Sequence, residues 1–174
     1  YHNKIFNFGI EAVTERIRRR IGKSRLTNQF VADATIDLFR RYAETDVSAT
    51  RIAWHMIACL PGETPVDCVE TAQVLASIDR RMLFEAKVTG AIQIRWQPLF
   101  SQPGTPSQWL PAGHGTQAWS WALRHALPRT YGLKIEQVVG RREEKNRLVT
   151  ALTRAGRSGS EVIAASTKKP GLAD

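Results

Sequence analysis

Cysteine is scarce in this chain: Cys59 and Cys68 are the only two in 174 residues. Two thiols are too few for a disulfide framework or for a metal site built on cysteine alone, so both read as reduced, in an intracellular, cytoplasmic protein. No apolar run approaches the roughly 20 residues of a membrane span, and no basic-then-apolar leader opens the sequence, so no membrane partner is expected. Acidic residues are outnumbered, 16 against 25 Lys and Arg, for a net charge of +9. Such a surface attracts a polyanion such as nucleic acid; the plain alternative is a set of arginines on solvated helix faces. P-loop, dinucleotide and nucleophile-elbow motifs are missing. His2, His55, His114 and His125 have no metal-ligand spacing. His55, inside an apolar run, reads as a hydrogen-bonded core histidine. The first residue is Tyr1 rather than Met, so a chain that is processed, or cut from something longer, is expected.

What remains is an alternation of strand and helix patterns. "KIFNFGI" (4–10) is a buried strand that runs into a turn. "EAVTERIRRRIG" (11–22) repeats Val13, Ile17 and Ile21 every fourth residue and stops at Gly22, with its arginines on the other face. Thr27 caps a second helix with Val31, Ala34, Leu38 and Tyr42 as its stripe. "RIAWHMIACL" (51–60) is nearly continuous apolar, the pattern of a strand covered on both faces. Thr64 and Pro65 open a helix with Val69, Ala72, Leu75 and Ile78 inward. "GAIQIRWQPLF" (90–100) is a third strand, followed by turn-rich loop over 101–115. A helix over about 117–127 carries Trp119, Leu123 and Leu127. "LKIEQVVG" (133–140) is a short strand candidate. Residues 143–156 read as a helix, and Ser160 caps a last short one.

This order predicts an α/β fold with parallel strands and right-handed crossovers. Sites in such sheets lie at the carboxyl ends of the strands, here "GIEA", "CLPGET" and "QPLFSQPGTP". In "IACLPGET" (57–64), Pro61 stiffens a turn, Gly62 allows close backbone approach, and Glu63 supplies a carboxylate that projects from the strand end. A bound small molecule has backbone groups and one charge to use there; a plain strand-to-helix turn uses the same residues.

Three blocks together, "FGIEAVTERIRRRIGK", "HMIACLPGETPVDCVE" and "IQIRWQPLFSQPGTPSQW", resemble the radical S-adenosylmethionine (radical SAM) enzymes. The closest likeness is to iron–sulfur oxidoreductases that often carry a cobalamin-binding domain upstream. The third block is the most specific, and the tail "ALTRAGRSGSEVIAAS" resembles the segment after the barrel in that group. The resemblance implies a six-stranded partial (β/α) barrel. In it a CxxxCxxC motif after the first strand holds a [4Fe–4S] cluster, and the open iron site binds S-adenosylmethionine.

That motif is absent here; Cys59 and Cys68, with eight residues between them, do not replace it. The three strands match the fourth, fifth and sixth of the barrel, so the chain resembles its C-terminal half, beginning at the fourth strand, and the family continues past Asp174. By the resemblance, Glu11 faces the methionyl end of S-adenosylmethionine. Ile57, Cys59, Pro61, Gly62 and Glu63 lie beside the adenine, with Cys59 where the family has Gly. Gln97, Pro98 and Phe100 shape the adenine edge. The alternative for each is a structural strand-end residue. Half a barrel leaves an unpaired edge and an uncovered inner face, so either an N-terminal cluster-bearing segment or another protein is expected to cover them.

Other features have bland alternatives beside them. Arg16, Arg18, Arg19, Arg20, Lys23 and Arg25 are candidate phosphate contacts, or the solvated face of an outer helix. "RREEK" (141–145) reads as mixed-charge surface. Five tryptophans invite base stacking, yet Trp54 and Trp119 sit on apolar faces and read as core, with Trp96, Trp109 and Trp121 less defined. Glu11 and Glu63 are a formal carboxylate pair for acid–base work. The expectation is three parallel strands with outer helices over residues 1–109 and a mostly helical extension over 110–174. It is a radical SAM half that contributes an S-adenosylmethionine pocket, with the [4Fe–4S] cluster supplied by the missing segment and cobalamin by an upstream domain. The alternative is a non-catalytic basic subunit of a larger complex, with a structural or RNA-binding role.

Overall fold

The computed structural model describes residues 5–44, 51–99 and 115–139. Four strands, β1 (Ile5–Glu11), β2 (Arg51–Ala58), β3 (Gly90–Pro98) and β4 (Leu133–Val139), form one sheet in that order, and every neighbouring pair is parallel. The connections carry α1 (Glu15–Arg20) and α2 (Asn28–Ala43), then α3 (Cys68–Arg81), then α4 (Thr116–Ala126). The chain is thus an α/β protein with a parallel sheet, as its alternating pattern predicts. No described helix is long and apolar enough to cross a membrane. The expected helices over 143–156 and after Ser160 lie outside the described residues.

Two sequence expectations are corrected. The sheet has four strands rather than three, because the segment read as a short strand candidate pairs along β3 from Gly90↔Leu133 to Trp96↔Val139. Its entry is fixed by buried Asp79 on α3, whose carboxylate accepts the backbone N–H groups of Tyr131, Gly132 and Leu133 at 2.8–3.2 Å. Residues 115–139, assigned by sequence to an extension, therefore belong to the same sheet and helix layer as the rest. The first helix is also shorter than 11–22. β1 continues to Glu11, and the Thr14 hydroxyl accepts the Ile17 N–H at 3.3 Å, so the helix starts after Thr14.

Periodicity explains the packing. Side chains alternate across a strand, and the even positions Ile52, Trp54, Met56 and Ala58 of β2 and Ile92, Ile94 and Trp96 of β3 are all buried. They join Val31, Ile36 and Phe39 of α2, Leu75 and Ile78 of α3, and Trp119 and Leu123 of α4 in one core. Trp54 and Trp119 are core residues, as read. Trp96 is too, its ring 6.4 Å from Trp119 and its Nε1 donating to Gln137 Oε1 at 2.8 Å. Trp121 is exposed and stacks on His125; Trp109 lies outside the described residues. At Gly90 a Cβ would stand 2.2 Å from the Phe39 ring, so the start of β3 admits only glycine without repacking.

The odd positions face the other way. In registered rows they are Ile5, Arg51, Ala91 and Lys134; then Asn7, Ala53, Gln93 and Glu136; then Gly9, His55, Arg95 and Val138; then Ile57 and Gln97. Helices α2, α3 and α4 all pack on the even face, and among the described residues no helix covers the odd face of β2. His55 is accordingly no core residue: it stands half-exposed on the odd face, with Nε2 3.0 Å from Asn7 Oδ1.

Candidate functional site

The strand carboxyl ends do come together, and a helix joins them that the sequence placed on the outside. Ile17 of α1 packs with Ala12 after β1, Leu60 after β2 and Leu99 after β3, with half-buried Ile57 against them. The space directly between the three ends is therefore filled by the protein's own apolar side chains. Ligand-facing groups are those turned toward the odd face and the rim.

Glu11 is the clearest of these. It sits at φ 71°, in the left-handed region. Its side chain folds back along the sheet, so that a Cβ on Gly9 would stand 2.5 Å from Oε1. Glycine at position 9 leaves room for the carboxylate. Lys23, in the turn after α1, holds it at 3.5 Å. The pairing in the ladder shifts between Gly9 and Glu11; such an irregularity re-aims a side chain at a strand end.

Cys59 follows β2 at φ 68°, also left-handed. A β-carbon is disfavoured there and glycine is not. Cys59 is therefore held in a locally strained backbone conformation, at a cost of the order of 1 kcal/mol. Its side chain is half-buried. Pro61 and Gly62 are exposed. The Gly62 carbonyl accepts Arg16 Nη2 at 2.7 Å, and Arg20 Nη1 would lie 3.6 Å from a Cβ on Gly62. The basic helix thus leans over the Leu-Pro-Gly-Glu-Thr turn instead of facing away from it.

Glu63 does not project from the strand end. It is buried, and its Oε1 accepts the Thr14 N–H at 3.0 Å and the Thr14 hydroxyl at 3.1 Å. It clasps the β2–α3 turn to the start of α1. Its Oε2 is buried without a partner, and burial raises its carboxyl above the ordinary range against the Thr14 bonds. Nearby, the Thr64 N–H and hydroxyl both donate to Asp67 at 2.7 and 3.0 Å and set the one-turn entry to α3. Glu11 and Glu63 have different partners and environments: one on the open face against Lys23, the other buried against Thr14.

Gln97 is exposed on the odd face in register with Ile57, and Pro98 is buried at the end of β3. The Leu99 N–H continues the ladder to the Ala58 carbonyl at 3.0 Å. Phe100 lies outside the described residues. A cavity of about 740 Å³ lies at the opposite end of the sheet, among Phe39, Arg51, Gly90, Tyr131 and Lys134 at the amino ends of the strands. It includes none of the strand-tip residues.

Of the basic set, Arg16, Arg19, Arg20, Lys23 and Arg25 are exposed. Arg18 is only 3% exposed and donates to Leu26 O at 2.7 Å, to Ala12 O at 2.9 Å and to Asn28 Oδ1. Burial lowers its pKa, while Glu70, Glu15 and Glu63 favour its charge. It ties α1 to the turn before α2 and presents nothing to a partner.

The two cysteines do not make a cluster site. Cys68 is fully buried at the head of α3, donates to Trp119 O at 3.5 Å, and has its thiol pushed up to about 12 by burial, Glu63 and Asp67. Iron–sulfur ligation needs a thiolate, the form that burial disfavours at Cys68. Among the described residues no group of three His, Cys, Asp or Glu is placed to hold a metal.

Several contributors carried little sequence signal. Thr14 acts through Glu63, 49 residues away, and Lys23 through Glu11 across the length of α1. The polar odd face was legible in "IQIRWQ", whose strict alternation marks one buried and one unburied face. Comparison with family models, curated proteins and solved structures finds no match to this chain.

Proposed function

We propose that this chain is the C-terminal part of a radical SAM-type barrel, contributing one wall of an S-adenosylmethionine pocket to an assembly whose cluster-bearing strands come from a separate segment. One observation carries the reading: an all-parallel sheet whose described helices α2–α4 cover a single face, with the other face lined by Asn7, His55, Gln93, Arg95 and Glu136. Parallel sheets are ordinarily covered on both faces. In a barrel the second face is the interior, and polar residues there line a site rather than solvent. On this reading β1, β2 and β3 stand in the places of the fourth to sixth strands, and β4 adds one beyond them.

The residues on the chain fit part of the cofactor's demands. Glu11 offers a carboxylate at the rim of the open face for the ammonium of the methionyl group. Ile57 and Gln97, side by side on that face, and the backbone turning at Cys59 are disposed to flank a planar base. The [4Fe–4S] cluster has no ligands on this chain's described residues. A cluster held by the other segment would supply one-electron reduction of the sulfonium. Here the protein's part is to bind, orient and exclude water.

The test is anaerobic co-expression of this chain with the segment encoded upstream. The reading expects a stable complex that carries iron and sulfide and converts S-adenosylmethionine to 5′-deoxyadenosine, with Glu11→Gln weakening S-adenosylmethionine binding. An upstream segment without CxxxCxxC, or a complex without iron, would refute it.

The apolar plug of Ile17, Leu60 and Leu99 between the strand tips favours a second reading, a non-catalytic subunit of a larger assembly. Its exposed Arg16, Arg19, Arg20, Lys23 and Arg25 would then contact RNA phosphates. Tight RNA binding that falls steeply with salt, in a complex lacking iron, distinguishes it.

A further inference from the structure

We propose that the open sheet face carries an anion subsite built on Arg95 and His55, so that the substrate enclosed by the completed barrel bears a carboxylate or phosphate group. The enclosure rests on the half-barrel reading; the subsite itself rests on the charges of this face.

The ionic groups on the face divide unevenly. Glu136 is held by Lys134 at 2.9 Å and by Arg51 at 3.6 Å, and its carboxyl is lowered by the Lys134 hydrogen bond and by both cations. Glu11, at the rim, is held by Lys23. Among the described residues Arg95 has no carboxylate partner. Its Nε donates to Gln93 Oε1 at 2.7 Å, and its two terminal nitrogens make no hydrogen bond among the described residues. The side chain is only partly exposed. A half-buried guanidinium is costly to desolvate unless an acceptor meets its remaining donors. The Gln93 bond fixes its direction without answering its charge.

His55 stands beside it in the same registered row, on the neighbouring strand. Adjacent strands lie about 4.8 Å apart, so the two residues start from neighbouring positions on the same face. Asn7 Oδ1 takes His55 Nε2 at 3.0 Å, while Asn7 Nδ2 turns toward Ile5 O at 3.5 Å, which orients the amide. His55 Nδ1 makes no hydrogen bond among the described residues; with Nε2–H given to Asn7, it donates to an anion only when the ring is doubly protonated. Gly9 on the other side of His55 has no side chain, and Ala53 and Ala91 below are small, so the row has room above it. The fork of guanidinium N–H donors on Arg95 matches the oxygens of one carboxylate or phosphate, with His55 one strand away in the same row.

The experiment uses the full chain with labelled arginine and histidine side chains, followed by NMR. Inorganic phosphate is titrated at constant ionic strength, and S-adenosylmethionine separately. The expected result is a saturable shift of the Arg95 Nε–Hε and His55 ring signals with phosphate. Arg95→Gln should bind phosphate roughly tenfold more weakly, the loss expected for a charged hydrogen-bond pair. Arg95→Lys should recover part of it, and Arg40→Gln, on the outer helix layer, should change nothing. If Arg95→Gln does not fold, His55→Gln serves in its place and should weaken binding several-fold. Uniform shifts at all exposed arginines, or unchanged binding in these variants, overturn the subsite. Saturable S-adenosylmethionine binding that moves Arg95 and is competed by phosphate gives the cation to the cofactor and also overturns the proposal. Phosphate binding at Arg95 in an assembly that never binds S-adenosylmethionine leaves the subsite standing and removes the half-barrel reading instead.

Discussion

The carboxylate of Glu11 lies against the α-carbon of Gly9, two residues back on the same strand, where a Cβ would stand 2.5 Å from its Oε1. Gly9→Ala should therefore move the carboxylate while leaving the strand paired. Because the group displaced is the end of a flexible side chain, the stability change is expected to be small, within about 1 kcal/mol. If the chain forms one wall of an S-adenosylmethionine pocket, as proposed, the same variant should weaken binding of that cofactor in the complex about as much as Glu11→Gln does. Thermal melts and cofactor titration check the two halves of this expectation.

Gly90 makes the contrasting case. A Cβ there meets the Phe39 ring at 2.2 Å, inside a closed core. Gly90→Ala should destabilise by about 1–3 kcal/mol as an overpacking change. Phe39→Leu in the same background should restore part of the loss. Urea unfolding of the single and double variants measures the coupling; independent, additive losses would contradict the contact.

Arg18 and Arg19 are neighbours with opposite expectations. Arg18→Ala removes the donors to Leu26 O, Ala12 O and Asn28 Oδ1 in a largely buried setting, and should cost about 2–4 kcal/mol. Arg19 is exposed beside Glu15, and Arg19→Ala should stay within about 0.5 kcal/mol. If RNA binding exists, Arg19→Ala should reduce it and the salt dependence with it.

The Glu63 clasp gives a pH dependence of definite sign. Burial raises its carboxyl in the folded state, so the folded protein favours the protonated form more than the unfolded chain does. The stabilisation is fully present below the unfolded carboxylate pKa and is lost as pH rises through the raised folded value. Glu63→Gln should flatten the stability profile across that window, and Glu63→Ala should lower stability at all pH by removing the acceptor for Thr14, by about 1–3 kcal/mol. Denaturant titrations from acid to neutral pH separate the two variants.

Much of the architecture was legible because it is written in local period. Short apolar runs ending in turn residues marked the strands, and Thr27 and Thr64 marked helix starts that the structure keeps. The fourth strand was visible as "LKIEQVV", but its membership in the sheet depends on Asp79, 54 residues before Leu133, accepting its entry N–H groups. At the site, the sequence placed Glu11 and the Leu-Pro-Gly-Glu-Thr turn at strand ends, as observed. It could not show that Glu63 turns inward to Thr14, 49 residues away, or that Arg18 is buried while Arg16, Arg19 and Arg20 are not. Those outcomes are set by which way a short helix lies across the strand tips, and six residues of α1 do not encode that alone.

The measurement closest to the central claim is the accessibility of the open sheet face in the assembled protein. In a Cys59→Ser background, with Cys68 buried, Gln93→Cys places a single thiol in the centre of that face and Arg40→Cys places one on the outer layer. If the face is a barrel wall, a thiol reagent should label position 93 rapidly in the isolated chain and far more slowly once the cluster-bearing segment is bound, while position 40 labels equally in both. Equal labelling of position 93 with and without that segment would contradict the account.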